Sequence, residues 1–170
     1  MLTLDKLNLK ISSFTFNKLV EDCFLVLNSM KGDKKVQLLN KSVSNFRLKT
    51  DYHRLKRIML NLLTNALKYT PEGTISIIGS AENLYLNIVV QDTGVGMEKD
   101  ALNKLFKEFS NNVEAQGETA KSVCNKEGIG LGLVTSLNLV EKLGPLRKIN
   151  VESQKGVGSI FSFLINIDCE

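Results

Sequence analysis

The chain has 170 residues, of which 43% are hydrophobic and 24% are charged, and only two are proline. These values are typical of one globular domain with one core, and they exclude long Pro-rich linkers. The net charge of +4 suits an anionic ligand, but the lysines and arginines are scattered along the chain, which does not indicate a nucleic-acid-binding surface.

The first part of the chain predicts one helix among three short strands. Residues 5–14 alternate weakly between apolar and polar and are expected to form an edge strand. Apolar residues three and four positions apart predict a helix over residues 16–30, and Thr15 is its expected N-cap. Residues 36–40 and 46–50 predict two further strands around a polar turn.

A second helix and a hairpin follow. The helix is expected at residues 52–69 with Asp51 as its N-cap, and it ends there because Pro71 disfavours helical geometry at the preceding residue. Residues 74–80 and 84–91 are rich in apolar and β-branched residues and are separated by a short polar segment, which predicts a hairpin.

The last part of the chain contains a polar segment of unusual length. A short helix is expected at residues 99–109, and residues 110–127 are almost entirely polar. A structureless loop of this length in a compact domain is often a lid over a site, although a disordered insertion without a role is the alternative. A helix at 132–143 and a hairpin formed by 147–153 and 159–167 complete the chain.

The predicted order of elements is β-α-β-β-α-β-β-α-lid-α-β-β. Because many strands are connected by hairpins, the sheet is expected to be mixed or mostly antiparallel. Helices segregated to one face of such a sheet give an α+β fold, a two-layer α/β sandwich, in a single domain covering residues 1–170.

Three polar residues share one stripe of the second helix. At about 100° per residue, Asn61, Asn65 and Lys68 fall beside the arc of apolar residues that must face the sheet. Amide oxygens can ligate Mg²⁺ between phosphates, and an ammonium group can pair with phosphate oxygens. The alternative is a solvated polar face, which would usually mix glutamate and lysine at this spacing.

Asp92 stands at the end of an apolar strand and is followed by Thr93-Gly94-Val95-Gly96. A buried carboxylate needs a partner, and the exocyclic amino group of adenine is a suitable donor. Gly94 and Gly96 permit tight turns and leave room for a flat base. Asp-Thr-Gly is also the active-site triplet of aspartic proteases, but the long helices expected here argue against that all-β architecture.

A glycine triad, Gly128, Gly130 and Gly132, precedes the last helix. Backbone amides at a helix N-terminus favour phosphate, whereas a simple flexible turn is the alternative. The order of elements does not fit a Rossmann site, and neither a P-loop nor the motifs of Ser/Thr/Tyr protein kinases occur in the sequence.

Four segments, in this order, resemble the conserved boxes of the ATP-binding domain of sensor histidine kinases, which belongs with gyrase, Hsp90 and MutL in one superfamily. Residues 54–73 resemble the N box, 92–96 the G1 box, 106–109 the F box and 128–133 the G2 box. The resemblance covers residues 7–167 and implies a Bergerat-type ATP-binding fold, with a mixed sheet covered on one face by helices.

The resemblance implies a role for each matching position. Asn61 and Asn65 would coordinate Mg²⁺, and together with Lys68 they are the expected catalytic residues. Lys68 and Tyr69 would contact phosphate or ribose. Asp92 would accept a hydrogen bond from the adenine amino group of ATP.

The glycine-rich segments acquire roles in the same way. Gly94 and Gly96 would line the base. Residues 110–127 would be the ATP lid, with Lys121 or Lys126 contacting the γ-phosphate. The remaining positions would be cofactor-binding residues of the G2 box, which binds phosphates through its backbone: Gly128, Gly130, Leu131 and Gly132.

The first position of the N box distinguishes the branches of this superfamily. Members that hydrolyse ATP carry glutamate there, whereas this chain has Asn61, which cannot act as a base at neutral pH. The resemblance therefore implies a protein-histidine kinase domain that holds Mg-ATP for phosphoryl transfer to a histidine on a separate dimerisation domain, in two-component signal transduction. The alternative is a degenerate nucleotide-binding or docking module without kinase activity, and an ATP-hydrolysing clamp is disfavoured.

The chain departs from the family in lacking a phosphoacceptor motif, since its single histidine, His53, lies at the start of the second helix. The phosphoacceptor and dimerisation domain is therefore expected in the parent chain or in trans, with a response regulator as an indirect partner and no nucleic acid. Three cysteines without CxxC spacing indicate neither a disulfide framework nor a zinc site. Because no membrane span or signal peptide is indicated, a cytoplasmic domain without membrane contact is expected, and any anchor of the parent protein would lie outside this chain.

Overall fold

A computed structural model describes residues 9–114 and 130–169 of the chain. Within these residues the elements follow the predicted order, with one additional short strand at the end. The helices are α1 Phe16–Met30, α2 Tyr52–Tyr69, α3 Lys99–Glu114 and α4 Gly130–Leu143. The strands are β1 Ile11–Thr15, β2 Lys35–Asn40, β3 Arg47–Asp51, β4 Glu72–Glu82, β5 Tyr85–Asp92, β6 Ile149–Gln154, β7 Gly158–Asn166 and β8 Asp168–Cys169.

Five strands form a mixed sheet in the order β2-β4-β5-β7-β6. β2 runs parallel to β4, and the other neighbours are antiparallel. Along β5, Leu86, Ile88 and Val90 are buried, whereas Asn87 and Val89 between them are only partly buried. One face of the sheet therefore lies against the core, where α2 contacts β5 and α4 contacts β7, and the predicted α+β two-layer architecture is confirmed.

α2 begins and ends where local chemistry predicts. The Asp51 carboxylate accepts a hydrogen bond from the backbone nitrogen of Arg54 at 3.1 Å, as an N-cap does, and another from that of Lys10 at 2.9 Å. Thr70 takes an extended conformation before Pro71, which ends the helix. The buried face of α2 consists of Leu55, Ile58, Met59, Leu62, Leu63, Ala66 and Leu67.

The two strands expected around a polar turn, β2 and β3, do not pair with each other. β2 joins the main sheet beside β4, whereas β3 lies between β1 and β8 in a separate antiparallel sheet. The segment between them follows β4, since the Lys41 nitrogen donates to the Ile77 carbonyl and the Gly79 nitrogen donates to Ser42 Oγ. Strand pairing is a long-range property, and the pattern of one strand does not specify its neighbour.

Most strand boundaries differ by one or two residues from those predicted, and β1, α4 and α3 show the further differences. β1 begins at Ile11, and the part of the predicted strand before residue 9 lies outside the described residues. α4 begins at Gly130 and not at residue 132. α3 continues past residue 109 to Glu114, because neither glycine nor proline interrupts it.

The longer α3 changes the predicted lid. Residues 110–114, which were expected at the start of the lid, belong to α3. Residues 115–127 lie outside the described part of the chain. In the part that is described, no helix is both long and apolar enough to span a membrane.

Candidate functional site

The polar stripe of α2 meets the beginning of α4. Asn61 and Asn65 are partly buried on this stripe, and Lys68 is exposed. The Asn61 Nδ2 atom donates one hydrogen bond to the Gly132 carbonyl oxygen and one to Ser136 Oγ, each at 3.1 Å. These contacts join the predicted N-box helix to the glycine-rich segment, which is 71 residues further along the chain at Gly132.

The same contacts determine which atom of the Asn61 amide is free. A carbonyl oxygen only accepts hydrogen bonds, so the nitrogen must face Gly132 and the Oδ1 atom is left without a partner among the described residues. One turn later, the Asn65 side chain makes no hydrogen bond or ion pair to another described residue. Two amide oxygens on one helix face are therefore available as ligands.

The donor set fits Mg²⁺ that is shared with phosphates. The described residues contain no group of three or more His, Cys, Asp or Glu side chains that could hold a metal by themselves. Mg²⁺ is commonly bound through one or two protein oxygens, with phosphates and water completing the octahedron, and Asn61 and Asn65 could supply those two oxygens. Beyond them, Lys68 Nζ lies 5.2 Å from the centre of the Tyr69 ring.

Asp92 is the last residue of β5, and its side chain is only 6% exposed. Its Oδ1 atom accepts a hydrogen bond from the backbone nitrogen of Gly94 at 2.8 Å. Burial raises the pKa of this carboxyl above its ordinary value of 3.8, and hydrogen bonding from the backbone amides of Gly94 and Ser159 opposes the rise. A buried carboxylate with acceptor capacity left over can receive a ligand's N–H group.

The end of α2 packs against the turn that follows Asp92. The Val95 nitrogen donates to the Tyr69 carbonyl oxygen at 3.0 Å. A Cβ atom placed on Gly94 would lie 2.8 Å from both Asp92 Oδ1 and Thr70 Oγ1. The Thr70 hydroxyl is buried and has no hydrogen-bond partner among the described residues. The C-terminal end of α2 therefore lies beside the Asp92 carboxylate.

Three glycines of the candidate site, Gly94, Gly96 and Gly132, differ in the room that the fold leaves for a side chain. A Cβ on Gly94 would overlap the Tyr69 carbonyl oxygen. Gly96 has a φ of 64°, and a Cβ there would overlap the Gln154 carbonyl group, so the packing of the loop itself requires both glycines. A Cβ on Gly132 would instead lie 3.8 Å from Asn61 Cγ, which is ordinary contact. The packing of the described residues therefore leaves room for a Cβ at Gly132.

Two of the predicted boxes contact the N-box helix: the start of α4 does so at Asn61, and the turn after Asp92 does so at the Tyr69 carbonyl oxygen. Residues 50–168 match the family described as histidine kinase-, DNA gyrase B- and HSP90-like ATPase. The chain belongs to this family. As a member of this ATPase family, it has Asp92 at the end of the strand and Asn61 on the helix where the resemblance places them.

Curated relatives of this ATPase domain include sensor kinases. The chain is 32% identical over 164 residues to the autoinducer 2 sensor kinase/phosphatase LuxQ of Vibrio parahaemolyticus, and 33% identical over 169 residues to the sensor histidine kinase GacS of Pseudomonas protegens. The matches cover 92% and 95% of this chain. The chain spans only 18% of the length of each of these relatives.

Solved histidine kinase structures share the fold of this ATPase domain. Full-length ShkA in complex with AMPPNP matches with a TM-score of 0.75 at 24% identity, over 96% of this chain and 32% of that one. The catalytic domain of histidine kinase ThkA matches with a TM-score of 0.72 at 21% identity, over 92% of this chain and 97% of that one. The mixed five-stranded sheet with its helices is therefore the architecture of these catalytic domains.

The predicted phosphate-binding segment of the ATPase domain lies at the start of α4. Gly130, Leu131 and Gly132 form the first turn, where backbone N–H groups have no acceptor within the helix and the helix dipole favours an anion. This turn adjoins Asn61. Three other predicted contacts lie outside the described residues: Gly128, Lys121 and Lys126.

Three buried hydroxyl groups of the ATPase domain lie near the candidate site residues, and the sequence alone assigned none of them to the site. Ser136 lies one turn after Gly132 on the same face of α4, so helical spacing from the glycine could have indicated it. Thr70 directly follows Tyr69 at the end of α2. Ser159 sits opposite Asp92 in the β5–β7 pair, and its Oγ atom is 2.9 Å from Ser153 Oγ.

Proposed function

We propose that this chain is the ATP-binding catalytic domain of a sensor histidine kinase, which holds Mg-ATP for phosphoryl transfer to a histidine on a separate dimerisation domain. The observation that carries the proposal is the contact of Asn61 with Gly132 and Ser136, which sets a stripe of metal-ligating amides against a phosphate-binding helix N-terminus. Kinase and not hydrolase activity is favoured because an amide at this position, with its nitrogen already bonded, cannot act as a base towards water.

Each residue has a defined part in binding. Asp92 would accept the adenine amino group and so fix the base. Lys68 and Tyr69 would contact phosphate or ribose, and the amides at the start of α4 would bind the phosphates. Asn61 and Asn65 would hold Mg²⁺, which when bound would neutralise charge on the phosphate oxygens. Phosphoryl transfer depends mainly on such positioning and charge neutralisation.

The partners follow from the same proposal. The transfer needs a histidine on a phosphoacceptor and dimerisation domain, in the parent chain or in trans, and a response regulator would receive the phosphoryl group from it. The exposed His53 lies in the first turn of α2 with its ring against Tyr52 and is not proposed as that acceptor. Because the reaction uses ATP, we place the domain in the cytoplasm. The resemblance supports an ATP lid in the segment predicted at residues 110–127, of which residues 110–114 form the end of α3.

Calorimetric titration of Mg-ATP into the purified domain tests the binding step. Saturable binding is expected, with strong loss in Asp92→Asn and weakening in Asn65→Ala or after removal of Mg²⁺. Asn103→Ala on the exposed surface of α3 is the matched amide control and should bind as the wild type does. Absence of binding by a folded wild-type domain would contradict the proposal and favour a docking module.

Labelled ATP tests the transfer step. A separately expressed histidine phosphoacceptor domain from a sensor kinase should become labelled when mixed with this domain and Mg-ATP. Binding without labelling of any such acceptor would favour a nucleotide-binding module, whereas rapid ATP hydrolysis that Asn61→Ala abolishes would favour the hydrolase branch.

A further inference from the structure

The Asn61 amide and the Ser136 hydroxyl join α2 to α4. The Asn61 nitrogen carries two hydrogens, and both are used, because it lies 3.1 Å from Ser136 Oγ and 3.1 Å from the Gly132 carbonyl oxygen. Ser136 is fully buried at 0% exposure, so it does not reach a ligand in the cleft. Ser136 can therefore act on a ligand only through its neighbours, among which Asn61 donates a hydrogen bond to its hydroxyl.

Two acceptors fix the amide more firmly than one. The terminal torsion of asparagine is broad, so a single hydrogen bond to Gly132 leaves the amide plane free to rotate. Ser136 supplies a second acceptor one helical turn further along α4, which fixes the plane of the NH₂ group. The direction of the Oδ1 atom is fixed with it, because both atoms belong to one planar amide.

We propose that Ser136 is a positioning residue for metal-dependent nucleotide binding, because it holds the Asn61 amide with Oδ1 directed at the Mg²⁺ that accompanies ATP. This inference rests on the proposed function. Removing a group that orients a metal ligand typically costs about 10- to 100-fold in metal affinity, and one neutral hydroxyl belongs at the lower end of that range.

A purely structural role for Ser136 has a different consequence. If the hydroxyl only joined two helices, Ser136→Ala would weaken ATP binding equally with and without Mg²⁺, since the whole cleft would loosen. The positioning role predicts a loss that is confined to the Mg²⁺-dependent part of the affinity. The ratio of the ATP dissociation constant without Mg²⁺ to that with Mg²⁺ therefore distinguishes the two roles.

The test is calorimetric titration of ATP into the wild type and Ser136→Ala, each in Mg²⁺ and in EDTA. Ser136→Ala should bind about 10-fold more weakly in Mg²⁺ and with unchanged affinity in EDTA. Equal losses in both media, or no loss in either, would overturn the inference while the wild-type binding upholds the proposed function. A wild type that binds no ATP in either medium would overturn both.

Three variants sharpen this test. Thr64→Val is the matched control, because the Thr64 hydroxyl donates to the backbone carbonyl of Asn61 at 3.2 Å and not to its amide, and its Mg²⁺ ratio should be that of the wild type. In the Asn61→Ala background, Ser136→Ala should have no further effect on the ratio, and a persisting effect would contradict the inference. If Ser136→Ala does not fold, Ser136→Cys replaces it. Cysteine keeps a buried side chain with a weaker acceptor, so the affinity of this variant for ATP in Mg²⁺ should lie between those expected for serine and alanine.

The nucleotide-free domain offers a second readout. The two side-chain amide protons of Asn61 should give separate, slowly exchanging NMR signals in the wild type, since both are hydrogen-bonded. In Ser136→Ala one of them should lose its protection. Unchanged protection of both protons would show that Ser136 does not hold the amide.

Discussion

The Asp92 Oδ1 atom lies 2.8 Å from the backbone nitrogen of Gly94, which donates a hydrogen bond to it across the turn at the end of β5. A second backbone amide, that of Ser159 on the neighbouring strand β7, also stabilises the carboxylate. Burial acts in the opposite direction and dominates, so the pKa of Asp92 is raised. The backbone amides of Gly94 and Ser159 thus hold the carboxylate in place, and a further donor, such as an adenine amino group, would stabilise its charge.

Asp92→Asn should therefore weaken ATP binding by about 10-fold or more, the loss expected for one hydrogen bond to a charged group. Asparagine has one acceptor oxygen where aspartate has two, so its NH₂ group must face either a backbone N–H or the adenine amino group, and all of these are donors. Calorimetry measures the change. Asp33→Asn, at an exposed turn residue, makes the same charge change as a control and should have no effect on affinity. If Asp92→Asn bound ATP with wild-type affinity, adenine would not be the partner of this carboxylate.

The raised pKa of Asp92 also predicts a pH dependence of stability. The folded state favours the protonated carboxyl, so its contribution to the free energy of unfolding is fully present below the ordinary value of 3.8 and is lost as the pH rises through the raised folded pKa. Asp92→Asn does not ionise, so the stability of this variant relative to the wild type should increase across that window. Urea unfolding of both proteins from acidic to neutral pH measures the difference. A difference that is constant with pH, or that decreases, would contradict the raised pKa.

Binding should respond to the same ionisation in the opposite direction. Only the ionised carboxylate accepts fully from the adenine amino group, so ATP affinity should decline as the pH falls towards the raised pKa of Asp92. Adenosine, which has no phosphates that titrate, is the appropriate ligand. An adenosine affinity that is constant down to the ordinary aspartate pKa would disprove the contact.

Gly132→Ala should separate ligand binding from folding. A Cβ at this position makes only ordinary contact with Asn61, and alanine favours helix over glycine by up to about 1 kcal/mol, so stability should be kept or slightly raised. The added methyl group would project towards the Asn61 amide, where phosphate and metal are proposed to bind, and ATP affinity should fall about 10-fold.

Gly94→Ala is the contrasting variant, because its Cβ would overlap the Tyr69 carbonyl. It should lower the free energy of unfolding by about 1–3 kcal/mol even without nucleotide. Denaturant unfolding and calorimetry on the two variants measure both effects. Unchanged ATP affinity in Gly132→Ala would mean that no ligand approaches this part of α4.

The sequence alone predicted the elements whose limits are local. α1 and α2 have the predicted bounds because Thr15 and Asp51 cap them and Pro71 prevents α2 from continuing. α3 extends past its predicted end because polar composition alone does not end a helix, and neither glycine nor proline occurs there. The candidate site residues on α2 and at Asp92 can be proposed from the sequence because each box is contiguous, and they stay a prediction.

Contacts between residues that are distant in sequence could not be predicted from local patterns. Ser136 is 75 residues from Asn61, and nothing in either segment specifies that the serine hydroxyl would accept from that amide. The separate sheets of β2 and β3 depend on pairing with β4 and β1, which the short strands do not encode by themselves. Thr70 was missed because its burial follows from the packing of Gly94 against the end of α2.

Thr70→Val should stabilise the nucleotide-free domain. The Thr70 hydroxyl is fully buried without a partner among the described residues, and leaving such a group unsatisfied costs about 1–3 kcal/mol, whereas valine has the same branched shape and no polar atom. Urea unfolding should show a gain of about 1 kcal/mol. Thr93→Val should have the opposite sign, because it removes a hydroxyl oxygen that accepts from the Thr74 nitrogen at 2.9 Å. Destabilisation by Thr70→Val would contradict this prediction and would mean that the hydroxyl has a favourable partner, such as a buried water.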